Sequence, residues 1–288
     1  MKLNGLAAAI FSASVLLTGV GNVRAALVID LTASKDLSGA GNGAVFSNPT
    51  NLTVVGSGVI DPFVRIQVGG SGGPESGFNT NATPSLDTKA GAFTHSITLG
   101  EIGTITGNGL SSTVLGTVYR QFFVDINEPN NASRFLSLDA LQFRVGTSGS
   151  PANFTQSAAG DLVYDLDQGP NGNVTVLMDA NFFAGSGLGY DLKFLIPDAA
   201  FAGRNSTDFV TLFATFGATT VIAGNNYEAN GGFEEIAAFK CTPTGTCAPP
   251  PPCTVNCSPP PNEIPEPGTL ALLGLALLGA VSARRRKL

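Results

Sequence analysis

The amino-acid sequence predicts an all-β domain, an antiparallel two-sheet sandwich, placed between two terminal segments that direct export. Three observations predict this fold. Short runs alternate apolar and polar residues, clusters of Gly, Asn, Pro and Ser separate them, and no stretch of about 12 residues carries a helical stripe. With 43% hydrophobic residues, 36 Gly and 19 Phe, the chain can build a core with many turns. Whether the topology is jelly-roll-like or immunoglobulin-like stays open.

The first element, residues 1–25, has the pattern of a secretory signal peptide. Lys2 gives the positive start, and a mostly apolar run extends from Leu6 to Leu17. Val23 and Ala25 fit the two positions that a signal peptidase reads, so we expect a cleaved signal helix with cleavage after Ala25. A membrane anchor is the alternative, but the apolar run is shorter than the ~20 residues that span a bilayer.

The second element, residues 26–240, is the predicted extracellular β domain. Its predicted strands are short apolar or Thr-rich runs bounded by turn residues. They are Leu27–Leu31, Phe63–Val68, Phe93–Leu99, Thr117–Ile126, Phe135–Val145, Leu162–Asp165, Val174–Asp179, Tyr190–Ile196, Phe209–Phe216 and Phe233–Lys240. The regions 32–60 and 69–90 are rich in loop-forming residues, and no strand is assigned to them.

Alternation within these runs predicts which side chains are buried. In the run from 190 to 196, Tyr190, Leu192, Phe194 and Ile196 share one face, opposite Asp191 and Lys193. Strands with one apolar and one polar face are typical of antiparallel sheets that bury a single face. This pattern is the basis for the predicted two-layer architecture.

The third element, residues 241–263, is a Pro- and Cys-rich segment that we interpret as a stalk. Prolines exclude helix and sheet, so such a segment acts as a semi-rigid spacer. It contains all four cysteines: Cys241, Cys247, Cys253 and Cys257. In an exported chain they favour two disulfides, with three pairings open. A zinc site is the alternative, but it usually has a C-x2-C pair or a nearby His.

The last element, residues 264–288, has three parts in order. The motif Pro265, Glu266 and Pro267 disfavours a helix, residues 268–283 are predicted to form a short apolar transmembrane helix, and Arg284, Arg285 and Arg286 begin a basic tail at 284–288. Basic residues stay on the cytoplasmic side, which places the preceding domain outside. The apolar stretch is short for a permanent anchor, as expected of a segment held transiently in the inner membrane.

This tail resembles the PEP-CTERM sorting signal. The resemblance implies processing by an exosortase, a membrane cysteine transpeptidase-like enzyme of Gram-negative bacteria that make exopolysaccharide. It also implies cleavage near Pro265–Pro267, after which the domain is released or tied to the cell surface or matrix. A plain C-terminal membrane anchor is the alternative. Runs such as Phe123–Asn127 and Leu162–Asp167 also resemble segments of PEP-CTERM surface proteins of unassigned function.

The charge balance bears on the partners. The whole chain has 15 basic and 21 acidic residues. Six basic residues lie in the two ends, whereas all 21 acidic residues lie within residues 26–266, so the processed chain 26–266 has nine basic and 21 acidic residues, a net charge of −12. This excludes nucleic acid, which needs a basic surface. The expected partners are the exosortase, exopolysaccharide or other matrix components, and transiently the inner membrane.

Calcium is the one ligand for which the sequence offers candidate residues, and no other cofactor is expected. Asp165 and Asp167 alternate as in the start of a calcium loop, and Asp125 begins a similar pattern. Neither continues: Gly169 and Pro170 follow the first pair, and no Glu closes the loop. Calcium binding at Asp165, Asp167 and Asp125 is therefore an expectation based on a partial ligand set.

Catalytic patterns are weak, and we expect that the protein is not an enzyme. Ser71 lies in a G-x-S-x-G sequence, but no helical pattern follows it, and His95 is the single histidine. The adjacent carboxylates Asp165/Asp167 and Glu234/Glu235 would need to face each other across a cleft to hydrolyse glycosides. Three hypotheses follow: a sorted structural protein, a carbohydrate- or calcium-binding adhesion module, and, with least support, a surface hydrolase.

Overall fold

The computed structural model describes residues 26–48, 61–68, 72–129, 133–183, 190–219, 221–230 and 232–240. Strands far outnumber helical turns among these residues and are arranged in several sheets, which confirms the predominantly β prediction. The predicted signal helix, stalk and C-terminal helix lie outside them. Within the described ranges, no helix is long and apolar enough to cross a lipid bilayer.

The strands are short, as expected for a chain punctuated by Gly and Asn. They are β1 (Leu27–Asp30), β2 (Ser38–Gly41), β3 (Ala44–Ser47), β4 (Pro62–Ile66), β5 (Glu75–Phe78), β6 (Ile97–Thr98), β7 (Thr104–Thr106), β8 (Val118–Asp125), β9 (Phe135–Gly146), β10 (Asp161–Asp165), β11 (Val174–Asp179), β12 (Leu192–Pro197), β13 (Phe209–Phe216), β14 (Val221–Ile222), β15 (Asn225–Asn226) and β16 (Glu234–Ala238). Helical turns occur at α1 (Gln156–Ala159) and, as 3-10 turns, at Leu99–Glu101, Ala180–Phe183 and Asp198–Phe201.

Two seven-stranded sheets contain most of these strands. The first has the order β1-β11-β9-β13-β5, with β10 also paired to β9 and β6 to β13. The second has the order β2-β3-β12-β8-β16-β4, with β7 also paired to β8. Strand pairs in both sheets are antiparallel except β1 and β11, which run parallel. β14 and β15 form a separate hairpin.

Aromatic side chains at the centre of the core join the two sheets. Phe143 on β9 of the first sheet lies 5.0 Å, between ring centroids, from Phe122 on β8 of the second. Phe122 in turn stacks on Phe194 of β12 at 5.0 Å. All three side chains are fully buried. Because both sheets contribute to one continuous apolar cluster, they pack face to face as two layers.

Two predicted strands, those from Phe93 and from Tyr190, begin at least two residues later than predicted. The run Phe93–Leu99 forms only the two-residue strand β6 before the 3-10 turn begins at Leu99. Tyr190 does not share the buried face with Leu192, because β12 begins only at Leu192 and the alternation does not extend back. Its ring lies 4.2 Å from that of Phe123, which is outside the shared core.

Strands β2, β3 and β5 lie in the regions to which the sequence assigned no strand. In β2, a Cβ on Gly39 would come within 2.5 Å of Ile29 Cγ2 on β1. In β5, a Cβ on Gly77 would come within 2.4 Å of Thr88 Oγ1. Glycine at these positions permits a close approach of neighbouring chain segments, and it also removes the β-branched signal by which strands are recognised.

Candidate functional site

Most of the residues predicted for sorting and cross-linking lie outside the described part of the chain. They are the cleavage residue Ala25, the cysteines Cys241, Cys247, Cys253 and Cys257, the motif Pro265, Glu266 and Pro267, and the basic residues Arg284, Arg285 and Arg286. Ser71 also lies outside it. The described residues therefore bear only on the candidate sites within the β domain.

Asp165 and Asp167 stand together at the end of β10, where both carboxylates stabilise a turn. Asp165 accepts hydrogen bonds from Gln142 Nε2 at 2.9 Å and from the Asp167 amide at 3.0 Å. Asp167 accepts one from the Val174 amide at 3.1 Å. Burial raises the pKa of Asp167, and the neighbouring Asp165 adds to the rise. These hydrogen bonds connect the end of β10 to the start of β11.

Asp125, the third predicted calcium residue, lies in the other sheet at the end of β8. The structure therefore does not bring it together with Asp165 and Asp167. Its neighbour is Asp191, which is 8% exposed and accepts a hydrogen bond from the Ile126 amide at 2.8 Å. Burial raises the pKa of Asp125 to about 7, with the charge of Glu235 adding to the rise. Burial and the charge of Asp125 raise the pKa of Asp191 well above its usual value. The two carboxyls are thus suited to sharing one proton.

Arg65 and Glu235 form an ion pair on the same side of the second sheet. They are register partners on β4 and β16, and Glu235 is also the partner of Asp125 on β8. Arg65 Nε donates to Glu235 Oε1 at 2.7 Å, and its Nη2 donates to the same oxygen. The guanidinium lies 3.9 Å from the ring centroids of both Phe93 and Phe233. This stacking and the ion pair fix Arg65 in place.

A second acidic group surrounds Glu234, whose side chain leaves β16 in the opposite direction to that of Glu235. Glu234 is 1% exposed, Glu75 is 2% exposed and Glu128 is 9% exposed. Burial raises the pKa of Glu234 well above its usual value, and Glu75 and then Glu128 add to the rise. Burial also raises the pKa of Glu128, to about 8. We name Glu75, Glu128 and Glu234 the glutamate cluster.

The two groups place six carboxyls near the start of β16, and the Arg65 guanidinium is paired with Glu235 on one side of that strand. Sequence reasoning singled out Asp125 and the Glu234/Glu235 pair, but it could not connect them to residues as distant in sequence as Arg65 and Asp191. Among the described residues, no three His, Cys, Asp or Glu side chains already stand at metal-ligand spacing. The arrangement is suited to holding shared protons, or a cation that enters between carboxylates.

His95, the candidate catalytic base, lies two residues before β6, a strand of the first sheet. Its Nδ1 lies 2.9 Å from the carbonyl oxygen of Ser96, and its own carbonyl accepts a hydrogen bond from Asn79 Nδ2 at 3.3 Å. These are local contacts of the kind that fix a loop. They give no geometric support to a catalytic role for this histidine.

Comparison with known families identifies the C-terminal segment. The family model of the PEP-CTERM protein-sorting motif matches residues 263–287. No curated protein and no solved structure matches the chain. The matched residues contain the proline motif, the apolar stretch and the basic tail described above. The motif implies export and exosortase-mediated placement at the surface or outside the cell, and the chain is therefore a PEP-CTERM sorting-domain protein.

Proposed function

We propose that this chain is a structural protein of the cell surface or exopolysaccharide matrix. The signal peptide starts export, residues 268–283 pause in the inner membrane, and the basic tail stays in the cytoplasm. An exosortase then cleaves near Pro265–Pro267, and the acidic β domain is displayed on the stalk of residues 241–263. The observation that carries this proposal is the sorting motif at 263–287, which follows the β domain in the sequence.

The β domain supports a structural role because its polar side chains are used to hold the fold together. Asp139 accepts hydrogen bonds from Ser137 Oγ at 2.6 Å and from the Ala218 amide at 2.8 Å. Asn48 Nδ2 donates to the Leu31 carbonyl at 2.8 Å and to the Ser34 carbonyl at 2.7 Å. Such contacts connect distant segments and stabilise a domain exposed to the outside.

The test is the fate of the tail in the native host. Intact mass of the protein recovered outside the cell should lack residues 1–25 and everything beyond the proline motif. Replacing Pro265, Glu266 and Pro267 together by Ala should leave the full tail on a membrane-bound chain. The matched control replaces Pro259, Pro260 and Pro261 of the stalk and should be processed normally. Recovered protein that still carries Leu288 would contradict the proposal.

A second candidate, a carbohydrate-binding module of the same matrix, is favoured by one pocket. It is open, has a volume of about 430 Å³, and is lined by Thr80, Asn81, Ala82, Thr83, Pro84, Ala90, Gly91 and Thr94. Hydroxyl and amide groups of this kind match the hydroxyls of a sugar, and the volume falls in the range of small-ligand pockets.

A polysaccharide-binding assay with the full chain tests this candidate. Thr83→Trp should fill the pocket and abolish binding, while Leu115→Trp, at a residue 76% exposed, should leave it unchanged. A glycan array and host polysaccharide without any binding would exclude the carbohydrate-binding role. The structural proposal would then stand alone.

A further inference from the structure

The glutamate cluster unites residues from three separate segments. Glu75 begins β5, Glu234 begins β16, and Glu128 follows the end of β8. All three side chains are nine-tenths or more buried. Three acidic side chains from segments this far apart are brought together only by the fold, and their combined burial must be offset by some partner.

The carboxylate oxygens differ in what they contact. Glu128 accepts hydrogen bonds from the Asn230 amide through both oxygens, at 2.8 and 3.0 Å. Glu75 Oε2 accepts one from the Val68 amide at 2.7 Å. Glu75 Oε1 and both oxygens of Glu234 are shielded from solvent and accept no hydrogen bond from an N–H or hydroxyl donor of the described residues. The Glu234 carboxyl lies within hydrogen-bond reach of the Glu75 carboxyl. Two buried carboxyls therefore meet, and no cationic side chain of the described residues bonds to these three oxygens.

An ionised carboxylate in this position needs a base, a proton or a metal ion. The nearby cation Arg65 is paired with Glu235. The Glu235 side chain leaves β16 on the opposite side from that of Glu234. Outside the cell, calcium reaches the millimolar concentrations at which extracellular modules bind it. Oxygen ligands without His or Cys select Ca²⁺ or Mg²⁺, and an irregular set of loop and strand ends suits the flexible coordination of Ca²⁺ better than the rigid octahedron of Mg²⁺.

We propose that Glu75 and Glu234 bind a calcium ion, with Glu128 beside them contributing negative charge. The two carboxylates provide the charged ligands, and backbone carbonyls and water complete the six to eight oxygens that Ca²⁺ takes. The ion enters between the unpaired oxygens and releases the shared proton. This site differs from the one suggested by Asp165, Asp167 and Asp125, and it does not depend on the structural or carbohydrate-binding proposals.

The test uses the full chain in mild detergent at pH 9, above the raised pKa of Glu128, stripped with chelator and titrated with CaCl₂. Calorimetry should detect binding, and the melting temperature should rise with Ca²⁺ and less with Mg²⁺. Glu234→Gln should abolish both effects, yet be at least as stable as the wild type in chelator, because it removes a buried ionisable group without changing volume. A wild type with no binding heat and no shift up to 10 mM Ca²⁺, as a shared proton alone would give, would overturn the proposal.

The matched control is the double variant Asp165→Asn and Asp167→Asn. It should bind calcium as the wild type does, whereas loss of binding in it, with binding kept in Glu234→Gln, would move the site to the end of β10. Glu128→Gln provides a second variant should Glu234→Gln not fold. Because it removes charge and no ligand, it should weaken calcium affinity several-fold without abolishing binding, and an unchanged affinity would count against the cluster.

Discussion

Arg65 is a largely buried cation that is held by two aromatic rings and one carboxylate. It stacks between Phe93 and Phe233 and is paired with Glu235, and its side chain is only 16% exposed. Removing it would leave Glu235 next to Asp125 without its positive partner. Breaking a buried ion pair by deleting one partner typically costs about 3–5 kcal/mol.

We therefore expect Arg65→Ala to lower the free energy of unfolding by about 3 kcal/mol in urea denaturation. Arg65→Lys should recover only part of this, since Lys keeps the charge but loses the planar stacking. The control is Arg204→Ala, which removes an ion pair to the exposed Asp161 and should have little effect. Equal effects of the two Ala variants would refute the role assigned to Arg65.

The pair Asp125 and Asp191 predicts a second residue-level effect. Burial and the charge of Asp125 raise the pKa of Asp191, so Asn can replace it with the same shape and still accept from the Ile126 amide. At pH 8 the wild type must either bind a proton that the unfolded chain lacks or bury a second carboxylate charge. We expect Asp191→Asn to be more stable than the wild type at pH 8, by at least about 1 kcal/mol, and to lose this advantage near pH 4.

Chemical denaturation at the two pH values checks this expectation. Asp208→Asn, at a carboxylate whose hydrogen bond to the Asn205 amide is exposed, serves as the control and should show no such pH-dependent gain. If Asp191→Asn were destabilised equally at both pH values, the shared proton would not be the feature that matters at this position.

Among the elements, strand β2 depends on glycine where it approaches β1. Gly39→Ala would place a methyl group against Ile29. Overpacking of this kind typically costs about 1–3 kcal/mol, and we expect a melting temperature several degrees lower. Ala40→Ser, at the exposed neighbouring position, is the control and should leave it unchanged. If both substitutions changed the melting temperature equally little, the close approach of β1 and β2 would not contribute to stability.

The glycine content of the strands explains which of them the sequence could predict. β11 and β13 coincide with predicted runs because apolar and β-branched residues fill them, and β9 differs only at its last residue. β2 and β5 are rich in Gly and Ser, so packing between chain segments and not residue preference places them in sheets. Tyr190 was assigned to the wrong face because the alternation begins at Leu192 and does not hold before the strand.

Little of the glutamate cluster could be predicted, for a similar reason. Glu234 and Glu235 are adjacent, and strand alternation implies that they point to opposite sides, which the structure bears out. Arg65, 170 residues before Glu235, meets it only through the register of β4 and β16. Glu75 lies on β5 of the other sheet and meets Glu234 only through the packing of the two sheets. The sorting motif was predictable because its three parts are consecutive in sequence, and the family comparison confirms it.

At the scale of the whole molecule, the buried carboxyls predict how stability depends on pH. Folded pKa values of about 7 for Asp125 and about 8 for Glu128 exceed those of the unfolded chain. The folded protein therefore binds more protons than the unfolded chain between about pH 4 and 8, and its stability falls as the pH rises through this range. In chelator, we expect a melting temperature several degrees higher at pH 5 than at pH 8.

Thermal denaturation monitored by circular dichroism, in matched buffers at constant ionic strength, measures this slope. The double variant Glu128→Gln and Asp191→Asn should flatten it, because two of the groups that take up protons on folding are then absent. A melting temperature that increases from pH 5 to pH 8 would contradict the assignment of raised pKa values to these groups.

The position of β16 in the second sheet has a consequence for the order of events during secretion. This last strand lies between β8 and β4, so that β4 has no partner in the sheet until residues 234–238 have emerged. A chain interrupted earlier leaves the layer split in two and exposes Phe63 and Val64. The strand that completes this layer and the sorting motif at residues 263–287 therefore lie within about 30 residues of each other in the sequence.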